Sequence, residues 1–311
     1  MRLRCGLGCL LAVSVLQGAA GAWAQELEPR AYSPNPTGAN FVLVGLVRTT
    51  GDVVFDASLP FRNVSAKVNG TTLLYGRTFG LFGRSASAGL GMPYAWGSLQ
   101  GEVAESFRRI TRSGLADARL RLAVNLVGGP ALKPADFVKR RPRTTLGASL
   151  VVQMPTGQYD GTKLINLGTH RWSFKPELGV SHPHGRFDLD FYAGAWLFTT
   201  NEDFYGGQVR KQDPIGTLQA HVSYTFRPRT WLAADATFYT GGRTTIDGQS
   251  NDDLQQNSRL GLTGALPLGR RHSLKVSWAS GFTTRVGGDF QTLAVAWQFL
   301  WFDRAKESGR P

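Results

Sequence analysis

Residues 293–301 read Leu-Ala-Val-Ala-Trp-Gln-Phe-Leu-Trp, and the meaning of that alternation decides the fold. Successive side chains of a strand point to opposite faces. One face therefore carries Leu293, Val295, Trp297, Phe299 and Trp301, and the other Ala294, Ala296, Gln298 and Leu300, small or polar in its first half. Two architectures use such a strand. A soluble sandwich would bury the aromatic face between sheets. A membrane barrel would turn it to lipid and set the tryptophans at the interface.

Composition favours a β protein with many turns. The 311 residues include 38 glycines and 15 prolines, with 18% charged residues and a mean hydropathy of −0.17. Beyond the first residues, no stretch approaches the roughly 18 uninterrupted apolar residues of a spanning helix. Residues 1–24 have the form of an export signal. Arg2 and Arg4 precede an apolar run from Leu7 to Leu16, and Ala22-Trp23-Ala24 supplies a small-x-small cleavage pattern. Cys5 and Cys9 are the only cysteines and leave with the signal, so no disulfide, thiolate metal site or cysteine nucleophile is expected. Residues 25–38, with Pro29, Pro34 and Pro36, read as an irregular periplasmic lead or a short plug.

Alternating segments then recur between turn signals. The expected strands are 39–56, 70–81, 84–105, 112–127, 143–156, 170–182, 185–200, 215–227, 229–241, 257–268, 272–285 and 288–302. Ala118, Leu120, Leu122, Val124 and Leu126 oppose Asp117, Arg119, Arg121, Ala123 and Asn125. Phe187, Leu189, Phe191, Ala193, Ala195 and Leu197 oppose Asp188, Asp190, Tyr192, Gly194, Trp196 and Phe198. In the first three segments, Arg48 and Arg77 leave the facing open. About twelve long alternating strands behind an export signal are the pattern of an outer-membrane barrel. The expected fold is all-β: an antiparallel transmembrane barrel of about 12 strands over 39–303, with 10–14 allowed. Residues 304–311 form a periplasmic tail.

Connections alternate short and long. The short ones, at Leu268–His272, Arg227–Thr230 and His182–Arg186, belong to the periplasmic side, and the long ones, 157–169, 201–214 and 241–256, to the outside. The 128–142 connection is an exception, long yet periplasmic. Removal of Arg2 and Arg4 lowers the net charge from +13 to +11. Most of that excess falls on the periplasmic turns, in Arg84, Lys133, Lys139, Arg140, Arg141, Arg143, Arg186, Arg227, Arg229, Arg270 and Arg271, against the single acid Asp136. Such a girdle suits anionic head groups of outer-membrane lipids; it equally suits plain soluble caps. The export signal excludes nucleic acid as a partner.

Candidate chemistry is sparse. His182-Pro183-His184 lacks a third ligand, and Asn251-Asp252-Asp253 reads as a solvated loop, so no metal is expected. His221 and Ser223 share a strand face, a pairing that outer-membrane hydrolases use, but no partner for the imidazole and no oxyanion donors are visible. No catalytic residue and no cofactor is expected. Parity places Asp117, Arg119, Arg121, Lys175, Glu177, Asp188, Asp190, His221, Asp235, Arg259 and Lys275 in the lumen, where charges of both signs line a solute path or cross-link a closed interior.

Four segments, Leu81–Ala86 (LFGRSA), Gly114–Gly128 (GLADARLRLAVNLVG), Leu164–Ser181 (LINLGTHRWSFKPELGVS) and Arg270–Val286 (RRHSLKVSWASGFTTRV), resemble the "Putative MetA-pathway of phenol degradation" family, whose members are often labelled transporter. The resemblance runs from about Gly38 to Trp301 and brings no catalytic motif. It implies an outer-membrane barrel linked to aromatic-compound catabolism. The combined expectation is a monomeric channel in the bacterial outer membrane for passive uptake of small molecules, phenol-type aromatics among them. The assembly machinery would recognise its C-terminal strand. The alternatives are a closed structural or adhesive barrel, and a barrel hydrolase using His221 and Ser223.

Overall fold

A computed structural model of the chain describes residues 28–55, 61–103 and 106–303. The expected export signal and the tail 304–311 lie outside the described residues. Twelve long strands form the wall: β1 (Ala39–Val54), β2 (Phe61–Leu81), β3 (Arg84–Val103), β5 (Arg119–Val127), β6 (Thr145–Gln153), β7 (Ser173–His184), β8 (Phe187–Phe198), β11 (Ile215–Arg227), β12 (Thr230–Gly241), β15 (Gln255–Pro267), β16 (His272–Thr284) and β17 (Gly287–Phe302). Neighbours pair antiparallel around the ring. β1 closes on β17 through sixteen pairs, from Ala39↔Phe302 to Val54↔Gly287. Closure leaves no open edge.

The partition of side chains is that of a membrane barrel, inverted relative to a soluble protein. Leu46, Leu73, Leu122, Leu178, Phe191, Leu218, Leu262 and Leu293 are exposed on the outer surface, whereas Lys175, Glu177, Asp190, Gln219, His221, Asp235 and Thr263 are buried inside. A sandwich would bury the leucines. Arg48 shares the outward parity of Val44 and Leu46 and is exposed, and Arg77 pairs with Asp303 at 2.7 Å on the rim where β17 ends. Nearby, Tyr75, Trp297, Phe299 and Trp301 form an aromatic girdle, with Phe299 and Trp301 stacked at 5.5 Å and Tyr75 at 6.3 Å from Trp301. Amphipathic rings favour that depth.

The wall is uneven. β2 has 21 residues and β3 has 20, whereas β5 and β6 have 9 each. Some 9–11 tilted residues span a bilayer, so β2 and β3 rise well beyond it. β4 (Ser106–Leu115) continues the rise by pairing with β3 alone. Between β4 and β5, Ala116, Asp117 and Ala118 stand opposite only Met92 and Pro93, a bulge that re-aims the chain. The second strand thus starts nine residues before the expected 70, and strand pairing starts before the expected 112. Outside the ring, β9 (Asn201–Phe204), β10 (Gln208–Gln212), β13 (Thr244–Ile246) and β14 (Gln249–Ser250) form a small sheet, in connections expected to be plain loops. The long connection 128–144 carries one short helix, α1 (Pro134–Phe137).

Candidate functional site in the barrel lumen

The chain's own lead closes the lumen at the end where β1 begins and β17 ends. Thr37 and Gly38 are held by backbone bonds to Leu132 and Thr78, which direct residues 28–36 into the barrel. Arg30 reaches Asp188 at 2.5 Å, and its backbone N–H donates to Asp190. Tyr32 is 1% exposed, and its hydroxyl lies 2.9 Å from both Ser149 and Glu177. Its ring occupies a slot made by two glycines paired across β6 and β7, Gly147 and Gly179. A Cβ at either would lie 2.2 Å or 2.1 Å from that ring.

The opposite end is closed by the connection 154–172. Asp117 is its staple: one carboxylate oxygen accepts from the Gly157 N–H at 2.9 Å, and the other from Gln153, the Thr169 N–H and the Thr169 hydroxyl at 3.1, 2.9 and 2.6 Å. Ile165 packs onto Val53, Val64, Ala66, Val286 and Phe290 within the mouth, and Leu164 packs onto Phe204 and Ile246 of the small sheet. Arg171 and Arg210 are buried beside this cap. Burial pulls the Arg210 guanidinium down to about 10, against the opposing influence of Asp253 and Tyr159.

Between the two closures lies a chamber of about 300 Å³. One wall is apolar or small: Leu43, Gly45 and Val47 of β1, Val68 and Leu74 of β2, Gly89, Gly91 and Pro93 of β3, Val151, and Ala294 and Ala296 of β17. Cations flank it on both sides, Arg119 and Arg121 on β5 and, across the lumen, Lys275 on β16 and Arg259 on β15, and Glu28 of the lead also lines the chamber. Burial would raise the Glu28 carboxyl, but the charges of Arg121, Lys275, Lys175 and His221 outweigh it and hold the group below its ordinary 4.5.

The eleven residues assigned to the lumen by parity separate into two groups. Arg119, Arg121, Arg259 and Lys275 line the chamber. The others are absorbed in local networks. Lys175 pairs with Glu177 at 2.7 Å, and Gln219 donates to the same Glu177 oxygen at 3.0 Å. Asp188 and Asp190 hold the lead, Ser181 donates to Asp190, and Asp117 holds the outer connection. His221 faces Asp235 at 2.7 Å, and Thr263 donates to that carboxylate at 2.6 Å. This corrects the expectation that the imidazole has no orienting partner. Its Nε2 and the Ser223 hydroxyl nevertheless have no hydrogen-bond partner among the described residues, so the two are not bonded to each other, and both side chains are enclosed. His182 and His184 stack at 6.5 Å, and among the described residues no group of three potential ligands surrounds a metal position. Parity could not reveal Glu28, Arg30 or Tyr32, which lie before the first strand.

A family model described as "Putative MetA-pathway of phenol degradation" matches residues 37–299. Among solved structures, an outer membrane channel from Pseudomonas putida F1 is similar at a TM-score of 0.73 and 21% identity, covering 89% of this chain and 100% of its own. The transport unit of the autotransporter AIDA-I from Escherichia coli is similar at a TM-score of 0.52 and 10% identity, over 93% and 97% of the two chains. At these identities the likeness is one of fold. No curated protein matches.

Proposed function

We propose that this chain, which belongs to the Putative MetA-pathway of phenol degradation family, is a monomeric channel of the bacterial outer membrane that passes small molecules by passive diffusion, single-ring aromatic compounds among them. The observation that carries the reading is the chamber. A purely structural barrel of this diameter can fill its interior with side chains. Here a cavity of about 300 Å³, at the lower bound of small-molecule sites, lies between two closures built from connecting segments, not from wall strands. Such segments can move without breaking the ring of strand pairs. No step requires a cofactor, since the gradient drives passage.

The family's label supports an aromatic solute, and the mixed lining suits a ring with a polar substituent. A closed structural barrel is favoured by one observation, that both ends are filled. Proteoliposome swelling and bilayer conductance separate the two, using the mature chain and a variant lacking residues 25–34. The channel reading expects measurable flux that rises several-fold in the shortened chain. No flux of any small solute through either protein, with both folded by heat-modifiable migration, would overturn it.

A further inference from the structure

Two arginines beside the connection 154–172 are enclosed without an acid to meet them. Arg171, at the end of that connection, is 5% exposed, and Arg210, on β10, is 1% exposed. The Arg171 guanidinium lies 4.3 Å from the centre of the Phe198 ring, and its Nη2 donates to Gln212. Gln212 stands two residues beyond Arg210 on the same face of β10, about 7 Å along the strand. Both guanidiniums therefore meet on one side of the small sheet. Arg210 lies 5.5 Å from the centre of the Phe204 ring on β9. In each guanidinium, Nε and Nη1 have no hydrogen-bond partner among the described residues. Asp117 lies within electrostatic reach of Arg171, and Asp253 of Arg210. Their oxygens are engaged elsewhere: Asp117 accepts from Gln153, Gly157 and Thr169, and Asp253 from the Thr244 N–H at 2.8 Å and hydroxyl at 2.6 Å. The charge of Arg210 also opposes that of Arg171, adding to the effect of burial in lowering its guanidinium. Enclosed cationic N–H groups are costly unless an anion meets them.

We propose that Arg171 and Arg210 form a binding site for a compact inorganic anion of the halide type, chloride above all, and that the bound anion fastens the connection 154–172 to the small sheet. The anion replaces a like-charge contact by charge-assisted N–H contacts from both guanidiniums. The surroundings set its size. The rings of Phe198 and Phe204 and the two engaged carboxylates enclose the donors, so a single-atom anion is accommodated with small side-chain shifts. A tetrahedral oxyanion would bring further oxygens that need donors of their own and would crowd the carboxylates. The anion joins the end of the connection, through Arg171, to β10, through Arg210. The inference stands whether or not the barrel conducts, because it concerns the fastening of one closure and not the solute.

The full mature protein in detergent is compared in sodium chloride and in sodium gluconate at equal ionic strength, which separates binding at a site from screening. The readout is hydrogen exchange at Trp172 and Thr199, which bond each other between the end of the connection and β8: the Trp172 N–H donates to the Thr199 hydroxyl and the Thr199 N–H to the Trp172 carbonyl, each at 3.0 Å. Both amides should exchange about tenfold more slowly once chloride reaches about ten times its dissociation constant, with a saturable dependence, while amides within β11 and β12 keep their rates. Arg210→Gln should remove the chloride dependence. Crystals grown in bromide should show an anomalous peak in contact with both guanidiniums, and if Arg210→Gln does not fold, that peak and the exchange of the unaltered protein decide. Equal exchange in chloride and gluconate overturns the inference, as does a chloride effect that persists in Arg210→Gln or a bromide crystal without the peak. A peak without any exchange response marks an adventitious ion only and overturns it too. Slower exchange in phosphate or sulfate but not in chloride overturns the assignment to a halide.

Discussion

Asp117→Asn should loosen the outer closure while leaving the ring of strands intact. The carboxylate receives four hydrogen bonds, two from backbone N–H groups of the 154–172 connection and two from side chains, and is buried in the bulge between β4 and β5. An amide in its place keeps one acceptor oxygen. Turned so that its oxygen keeps the three donors of Gln153 and Thr169, it sets its NH2 group against the Gly157 N–H and loses that charge-assisted bond, roughly 1.5–3 kcal/mol. The three remaining bonds lose their charge assistance, which brings the total to about 3 kcal/mol. Because the bonds tie a connection to the wall rather than strand to strand, the loss should fall on local opening. At about 1.4 kcal/mol per tenfold, the Gly157 and Thr169 amides should exchange with solvent about two orders of magnitude faster. Amides within β7 and β8 should keep their rates, and single-channel conductance should rise. Hydrogen exchange followed residue by residue is the assay. Unchanged protection at Gly157 and Thr169 would refute the reasoning, and so would equal acceleration throughout the wall.

Three further outcomes are expected. Gly147→Ala puts a methyl where the Tyr32 ring lies, an overpacking worth about 1–3 kcal/mol; the lead rather than the barrel should yield, so conductance rises with little change in unfolding midpoint. Acid should act on the same closure. The stabilising contribution of Glu28, whose carboxyl is held below its ordinary value, is fully present above pH 4.5 and is lost as the pH falls through the lowered value; conductance should rise at the acid end, and Glu28→Gln should abolish that dependence. Reversing Arg140, Arg141, Arg270 and Arg271 together removes cations worth about 1 kcal/mol each near an anionic leaflet, so the heat-modifiable fraction assembled into vesicles containing anionic lipid should drop by tenfold or more, and equal yields in neutral and anionic vesicles would rule out a lipid role.

The strands were legible because each has one apolar and one polar face, and a slip of one residue would exchange them. β7 shows it: Leu178 and Val180 point outward while Lys175, Glu177 and Ser181 are buried inside. The His221–Asp235 pair was legible too, and was missed. The short turn after Arg227 sets those two directly opposite in the β11–β12 register. The small outer sheet was not legible, since strands of two to five residues carry too few alternations to register as a period. Nor was the chamber. Gly147 and Gly179 appear in sequence as two small residues of inward parity, and only their pairing across strands turns them into a slot for Tyr32. Glu28 precedes every periodic segment, so no parity applies to it.

The lead is covalently continuous with the first wall strand, and that fixes a scale of dose. Only Pro29 to Gly38 separate Glu28 from the start of β1. A short tether of this kind presents its end group to a nearby site at an effective concentration on the order of millimolar. A solute that competes with the lead at equal intrinsic affinity therefore displaces it only near that concentration, and trace amounts leave the lead seated. Lengthening the tether with glycine and serine should lower the threshold without altering any contact in the wall, which makes the number of residues before Ala39 a setting of the channel's sensitivity.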